Sequence, residues 1–141
     1  MALQTITQAN LDSIVAASQL FWKSGGREGY KASLSGYDFA ASAVTFSWPV
    51  LNCGTFTKSD FHGINITGAV FKNADCRFAN FKNCNLTSAD FSGSDCYGAD
   101  FTGANLTKVD FSGTGLGNAI LTGSTQSGTR FDNAWMVGTV L

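Results

Sequence analysis

The sequence has little proline, little charge and no long apolar run. It holds 1 Pro and 13% charged residues among 141, and its 9 Lys and Arg against 10 Asp and Glu give a net charge of −1. Such a balance favours neither nucleic acid nor a membrane surface. No apolar run approaches the ~20 residues that cross a bilayer, and the N-terminus lacks the basic start and apolar core of a signal peptide. We therefore expect a cytoplasmic protein with no membrane partner and no direct nucleic-acid partner.

The groups that catalysis and metal binding require are also scarce. The single histidine, His62, follows Asp60 by two residues and has no nucleophile beside it. The four cysteines, at positions 53, 76, 84 and 96, form no C-x-x-C pair and have no nearby histidine, which argues against zinc. The aspartates recur at multiples of five rather than as the convergent pair that acid–base chemistry needs. The sequence therefore predicts no catalytic residue, no metal and no cofactor, and a protein that is not an enzyme.

What the sequence has in abundance is a five-residue repeat. From Phe46 to Leu141 every fifth residue is apolar, counting cysteine, and Gln126 is the exception. Two places before each of these centres the residue is mostly small, and directly before it stands Asp or Asn through the middle of the chain. Glycine is frequent two places after the centre. A period of five matches neither the helical period nor the strand period.

A five-residue unit can form one short side of a coil. Residues two apart in an extended chain face the same way, so the small residue and the centre point inward and the Asp or Asn between them points outward. Gly, Ser and Thr in the next two places suit a tight corner. The core centres predicted at the clearest repeats are Phe61, Phe71, Phe81, Phe91, Phe101, Leu106, Phe111 and Phe131.

A second period, four units long, predicts four sides per turn. "NIT" at 65–67 returns as "NLT" at 85–87 and 105–107, and "DFSG" at 90–93 returns at 110–113. Coils that stack ~4.8 Å apart would give about five coils over residues 46–141 and a shaft ~25 Å long. Like residues would then lie on like residues in the next coil, and phenylalanine rings would stack inside.

The units "ADFSG" at 89–93, "ADFTG" at 99–103 and "ANLTK" at 104–108 resemble the pentapeptide-repeat family. The resemblance covers residues 32–141. It implies an all-β solenoid, a right-handed quadrilateral β-helix. The lead-in "WKSGGREGYKASLSGYDF" at 22–39 also resembles that of bacterial and cyanobacterial members, which implies a bacterial protein.

The resemblance alone leaves function open between two classes. The first is a non-enzymatic protein-interaction or scaffold module whose partner is unknown. The alternative is a protein that mimics duplex DNA and binds DNA gyrase, as quinolone-resistance members of the family do. DNA mimicry requires dense negative charge, whereas residues 46–141 hold seven acids and six bases. The charge count therefore favours the first class.

Residues 1–31 are predicted to form a capping helix and a lead-in before the solenoid. Residues 8–23 have helical spacing at Leu11, Ile14, Val15, Leu20 and Phe21. Thr7 is the expected N-cap, and "SGG" at 24–26 ends the helix. From centre Phe39 to centre Phe46 is seven residues, so we expect two extra residues near 40–46, close to Pro49.

The C-terminal end carries the predicted interaction surface. The outward places there change from polar to apolar, which predicts an exposed patch of Ile120, Trp135, Val137, Val140 and Leu141. We expect a two-fold homodimer through the C-terminal coil, with a different partner as the alternative.

Two inward places hold polar or reactive groups. Gln126 is expected to bond a backbone group or water in a less regular last coil. Cys76 and Cys96 share a column in adjacent coils at a spacing that permits a disulfide, and in a cytoplasmic setting we expect core thiols.

Overall fold

A computed structural model describes residues 2–42, 44–45 and 51–141. Its helix, α1, spans Gln8–Lys23. The N-cap is Thr7, as the sequence predicts, and its Oγ1 accepts a hydrogen bond from the Asn10 amide at 3.2 Å. Ser24 is the C-cap, and glycines in the left-handed conformation follow it. No helix within the described ranges is both long and apolar enough to cross a membrane.

One face of α1 lies against the start of the repeat region. Leu11 is buried in the core, and the indole Nε1 of Trp22 donates to the Asn52 carbonyl at 3.0 Å. Leu20, one of the residues with helical spacing, is 42% exposed. Leu20 follows Leu11 by nine residues, which is two and a half turns of ~3.6 residues and places it on the opposite side of the helix.

The repeat region is a stack of parallel β-bridges, each one residue long. From Thr55↔Asp75 to Ile120↔Val140, every bridge joins residues 20 apart. Successive bridges fall five residues apart along the chain, always at the place before a centre. Each coil therefore has four short sides of five residues, and like sides lie on like sides.

Backbone hydrogen bonds follow the same plan in every coil. The amide of a centre donates up the stack, as Phe81 does to the Asp100 carbonyl at 2.8 Å. The amide before the centre donates down the stack, as Asn80 does to the Ser59 carbonyl at 2.9 Å. The unit closes with a turn bond, such as that from the Cys84 amide to the Phe81 carbonyl at 3.2 Å. The stack thereby satisfies the backbone groups that extended chain leaves exposed.

Every corner from residue 53 to residue 138 has its second residue in the left-handed conformation. Glycine fills this place often, in agreement with its frequency two places after a centre. Other residues adopt the same conformation, including Asn83 with a φ of 56° and Phe78 with a φ of 58°. The geometry of the coil, rather than the residue type, therefore sets the corner.

Phenylalanine rings fill the interior. Seven of the eight centres named above, all except Phe131, are fully buried. Rings at the same place in adjacent coils stack, as Phe61 and Phe81 do at 4.9 Å between centroids. Rings two units apart along the chain pack edge to face, as Phe81 and Phe91 do at 5.5 Å.

The first coil has a different register. Its bridges, Ser33↔Thr55 and Asp38↔Asp60, join residues 22 apart rather than 20, which confirms the two extra residues predicted from the sequence. Residues 43 and 46–50, and with them Phe46, Pro49 and part of the predicted interruption, lie outside the described residues. The N-terminal segment also pairs with this coil through Gln4↔Tyr37, which the sequence pattern did not predict.

Three predictions fail in the last coil. Phe131 stacks on Phe111 at 5.6 Å but is only partly buried, because among the described residues a coil covers it on one face only. Gln126, expected at an inward place, is exposed, and its Nε2 donates to the Ser124 hydroxyl at 2.9 Å. The coil itself is as regular as the others, since Thr125 and Arg130 keep their bridges to the coil before.

Candidate interaction surfaces

The outward Asp and Asn side chains bond their own corners. In each unit from Asp60 to Asp110, except the one with Val70, the Oδ1 accepts a hydrogen bond from the amide two residues later. Where Thr stands at that later place its hydroxyl often donates to the same oxygen, as Thr102 does to Asp100 at 2.6 Å. These side chains are therefore part of the turn structure.

Several carboxylates also have a cation beside them. Arg77 contacts Asp75 at 2.7 Å, and the hydrogen bond from its guanidinium lowers the pKa of that carboxyl. Lys82 Nζ lies 3.2 Å from Asp100. Partial burial raises the pKa of Asp100, but hydrogen bonds from Thr102 and Lys82 outweigh it and lower the pKa. The acids on these sides are thus screened by bases in the same coil or the neighbouring one.

Metal-ligating side chains do not cluster among the residues that the structure describes. No group of three or more His, Cys, Asp or Glu there could hold a metal ion. His62 Nδ1 lies 2.8 Å from Asp60 Oδ1 on the exposed surface.

All four cysteines are free thiols. Burial, and then the neighbouring Cys96, raise the pKa of the Cys76 thiol. Burial raises the pKa of Cys84 to about 12. Both groups are therefore held as neutral thiols in the core.

The C-terminal patch consists of Ile120, Trp135, Val137, Val140 and Leu141. The last four are exposed, with Trp135 at 56% and Val137 at 65%. Ile120 is half-buried, because Val140 bridges to it from the next coil. The structure thus brings the five predicted residues to two adjacent sides of the last two coils.

One corner of the solenoid continues this apolar surface along the shaft. We call it the aromatic corner. Its stacked dipeptides are joined by amide–carbonyl bonds of 2.8–3.0 Å from each level to the next. Each dipeptide is one level of the corner. From the first level to the sixth, the dipeptides are residues 35–36, 57–58, 77–78, 97–98, 117–118 and 137–138.

Aromatic rings lie over the third to the fifth levels of the aromatic corner. Phe78 is 51% exposed and packs edge to face on Tyr97 at 5.7 Å. The Tyr97 hydroxyl accepts a hydrogen bond from Asn118 Nδ2 at 2.5 Å. Trp135 folds back over Gly117, where a methyl group would lie only 2.5 Å from its Cζ3. Sequence reasoning missed Phe78 and Tyr97, although the bulky ring of Phe78, at a corner place usually taken by Gly or Asn, is a detectable signal.

A cavity lies at the other end of the aromatic corner. It measures ≈ 450 Å³ and is lined by Ala2, Leu3 and Gln4 together with Ser35, Gly36, Thr57 and Lys58. The last four of these residues are the first two levels of the corner. The N-terminal segment forms the other wall through its bridge to Tyr37.

Comparisons with solved structures return proteins of the same repeat class at low identity. HetL, a pentapeptide repeat protein involved in heterocyst differentiation regulation from the cyanobacterium Nostoc sp. strain PCC 7120, is 24% identical with a TM-score of 0.41, over 75% of this chain and 52% of its own. Rfr23 from the cyanobacterium Cyanothece 51142 is 22% identical with a TM-score of 0.39, over 68% of this chain and 66% of its own.

QnrB1, a plasmid-mediated fluoroquinolone resistance protein, is 21% identical with a TM-score of 0.31, over 62% of this chain and 61% of its own. The chain spans about half of HetL and just under two thirds of the other two. Every one of these TM-scores is below 0.5, so the similarities do not indicate what the chain does. No curated protein matches the sequence.

A family profile, by contrast, matches most of the solenoid. The profile described as pentapeptide repeats matches in 8 copies, over residues 55–87, 84–123 and 104–141. Together these ranges cover more than half of the chain and coincide with the ladder of bridges between adjacent coils. The chain therefore belongs to the pentapeptide-repeat family, and its fold is a right-handed β-helix solenoid.

Proposed function

We propose that the protein is a non-enzymatic interaction or scaffold module that binds a protein partner through its C-terminal patch. The observation that carries the proposal is the exposure of Trp135, Val137, Val140 and Leu141 together at one end of the solenoid. Contiguous exposed apolar side chains mark interaction sites on soluble proteins. Trp135 is the expected anchor, because buried tryptophan dominates the energy of many interfaces.

We also propose the finer architecture that supports this role. Residues 1–31 form a capping helix and lead-in, and residues 32–141 form the β-helix, with about five coils over residues 46–141. The contacts of Gln8 with Thr45 and of Trp22 with Asn52 support a capping role for α1. The cytoplasmic and bacterial setting stays a prediction from the sequence.

A second copy of the chain is the partner that the sequence favours. The side chains of the patch are apolar and uncharged, so two patches can meet without opposing like side-chain charges. A two-fold contact closes on itself and avoids fibres. A homodimer through the C-terminal coil therefore stays part of this proposal, with a different protein as the alternative occupant.

Affinity capture from a lysate of the native host tests the proposal. The baits are the wild-type chain, Trp135→Asp and the matched control Tyr30→Asp, which places the same charge on an exposed aromatic residue outside the patch. We expect a specific protein to be retained by the wild type and by Tyr30→Asp, and to be lost with Trp135→Asp. Equal retention by all three baits would contradict the proposed role of the patch.

The alternative, DNA mimicry directed at gyrase, has less support. A phosphate-like surface needs unpaired carboxylates at close spacing. Here Asp75, Asp100 and Asp110 each lie within 2.7–3.3 Å of an Arg or Lys side chain. A gyrase supercoiling assay with added protein tests the alternative directly, and we expect no inhibition and no protection from quinolones.

A further inference from the structure

Three cations at the end of α1 have no acidic partner. On the shaft, Arg77 and Lys82 lie 2.7 and 3.2 Å from a carboxylate. Lys23 is the last residue of α1, and Arg27 and Lys31 follow it; all three are exposed. No carboxylate among the described residues forms an ion pair with any of them. Their charges are therefore available to another molecule.

The segment that follows α1 folds back against the helix. The Oγ of Ser24 accepts hydrogen bonds from two following amides, and the Ser24 carbonyl accepts one from Arg27 Nε at 2.9 Å. The Tyr30 amide then donates to the Ala17 carbonyl at 3.3 Å. Gly29 permits this approach, because its φ is 71° and a methyl group there would collide with the same carbonyl. The turn thus holds residues 27–31 beside the last two turns of α1.

Exposed apolar side chains surround the cations. Lys31 Nζ lies 5.9 Å from the centroid of the Phe21 ring and 5.9 Å from that of Trp22. Trp22 is 39% exposed, Leu20 is 42% exposed and Tyr30 is 53% exposed. We call this region the basic–aromatic surface, formed by Leu20, Trp22, Lys23, Arg27, Tyr30 and Lys31.

The charge of the basic–aromatic surface indicates the chemistry of its occupant. Between residues 20 and 31 three bases accompany a single acid, Glu28, so this end is positive although the whole chain has a net charge of −1. Complementary potentials select one partner over another at an interface. Unpaired cations beside exposed rings complement a segment that carries carboxylates next to apolar side chains.

Two other anionic macromolecules fit this surface less well. Nucleic acid is held through many phosphates, on the order of 6–10 in strongly salt-dependent complexes. Segments that bind anionic lipid headgroups carry ~4–8 Lys or Arg. The basic–aromatic surface has Lys23, Arg27 and Lys31 alone. A protein segment needs fewer charges, because its apolar side chains contribute to the contact.

We propose that the basic–aromatic surface binds an acidic segment of a protein partner. Carboxylates of the segment pair with Lys23, Arg27 and Lys31, and its apolar side chains pack on the rings of Trp22 and Tyr30. The surface lies at the other end of the solenoid from the C-terminal patch, so this proposal goes beyond the proposed function and does not depend on it. A scaffold with one such surface at each end would hold two different partners together.

Selection from a phage-displayed library of random dodecapeptides tests the proposal. We expect the wild type to select peptides enriched in Asp and Glu together with aromatic or aliphatic residues. The double variant Arg27→Glu, Lys31→Glu should bind the selected peptide at least ~10-fold more weakly in fluorescence anisotropy, because two ion pairs become like-charge contacts. The matched control Lys58→Glu, Lys108→Glu makes the same change of net charge at two other exposed bases, and it should bind as the wild type does.

The remaining outcomes separate this proposal from the proposed function. Tyr30→Asp should weaken the selected peptide and Trp135→Asp should leave its binding unchanged, which is the reverse of their expected effects on the C-terminal patch. Selected peptides without an excess of acids, or equal binding by the charge-reversed variant, would overturn the proposal. So would a failure to select acidic peptides combined with charge-dependent binding of oligothymidylate or of phosphatidylserine vesicles, which would assign the surface to nucleic acid or lipid. Circular dichroism checks folding, and Lys31→Gln replaces the double variant if that variant does not fold.

Discussion

At the scale of single residues, the place within the five-residue unit decides what a side chain does. Phe91 is a centre, is fully buried, and stacks on Phe71 at 4.8 Å and on Phe111 at 5.2 Å. Phe78 stands two places after a centre and is 51% exposed. The same side chain therefore belongs to the core in one place and to the surface in the other.

The two phenylalanines give a matched test of this rule. Phe91→Ala removes a buried ring between two others and should cost ~3–5 kcal/mol of unfolding free energy. Phe78→Ala removes a half-exposed ring and should change the stability by less than ~1 kcal/mol. Urea denaturation of both variants measures the difference, and a larger loss for Phe78→Ala would refute the assignment of inside and outside.

The sequence predicts the buried centres because one side chain in five repeats without a slip. It does not predict the partial exposure of Phe131 or the exposure of Gln126, because burial also needs a coil on both sides and a repeat pattern does not show where the stack is covered. The sequence does not predict the contact between the rings of Phe78 and Tyr97, because that contact forms only when separate coils stack.

At the scale of the element, the corner is the feature that the coil imposes most strongly. Gly113 has a φ of 64°, and a methyl group there would meet nothing closer than 4.0 Å. The backbone of Gly115 is not in the left-handed conformation. The nearest atom to a methyl group at Gly115 would be an Asp95 carboxylate oxygen at 3.4 Å. The two glycines differ in backbone conformation while neither is crowded.

Alanine at these two glycines isolates the conformational cost. Gly113→Ala should lose ~1–2 kcal/mol, because a Cβ is disfavoured in the left-handed region. Gly115→Ala should be neutral or gain up to ~1 kcal/mol, because alanine restricts the unfolded chain more than glycine does. Thermal unfolding of the pair measures the sign, and equal losses at both positions would argue against a strained corner.

The sequence also predicts whole elements where they have local signals. The helix α1, its N-cap Thr7 and the two extra residues in the first coil all follow from spacing and capping chemistry. The pairing of Gln4 with Tyr37 does not, because one bridge through backbone atoms leaves no pattern in the side chains. For the same reason the cavity beside this bridge could not be predicted.

At the scale of the whole molecule, the period of one full coil matters more than the period of one unit. Two of the four sides carry buried columns of phenylalanine, and the other two carry smaller centres such as Cys76 and Ile66. A phenylalanine in one coil therefore stacks on a phenylalanine in the next, as Phe71 and Phe91 do at 4.8 Å. A deletion can keep the five-residue phase and still move the following units to the neighbouring side of the coil. Such a deletion would place large centres on small ones.

Two internal deletions separate these periods. Removing residues 86–105 takes out one full turn, so that Phe111 would stack on Phe71 and Leu116 on Cys76. Removing only residues 86–100 keeps every centre in the five-residue phase, but Phe111 would then lie on Cys76 and Leu106 on Phe71. We expect the shorter deletion to be the more damaging one, less stable in urea by at least ~3 kcal/mol, because each mismatch leaves a cavity or a clash in a close-packed core.

The comparison is informative because the size of the deletion and the expected damage run in opposite directions. A loss of contacts alone would make the deletion of 86–105 the less stable variant, since it removes more buried centres. We expect that variant to be the more stable one and to keep the far-UV circular dichroism of a β-solenoid. This result would show that the match between coils outweighs the loss of one turn. The opposite order would mean that the interior accepts any apolar centre, and that the stacked columns of phenylalanine do not determine which sides lie on one another.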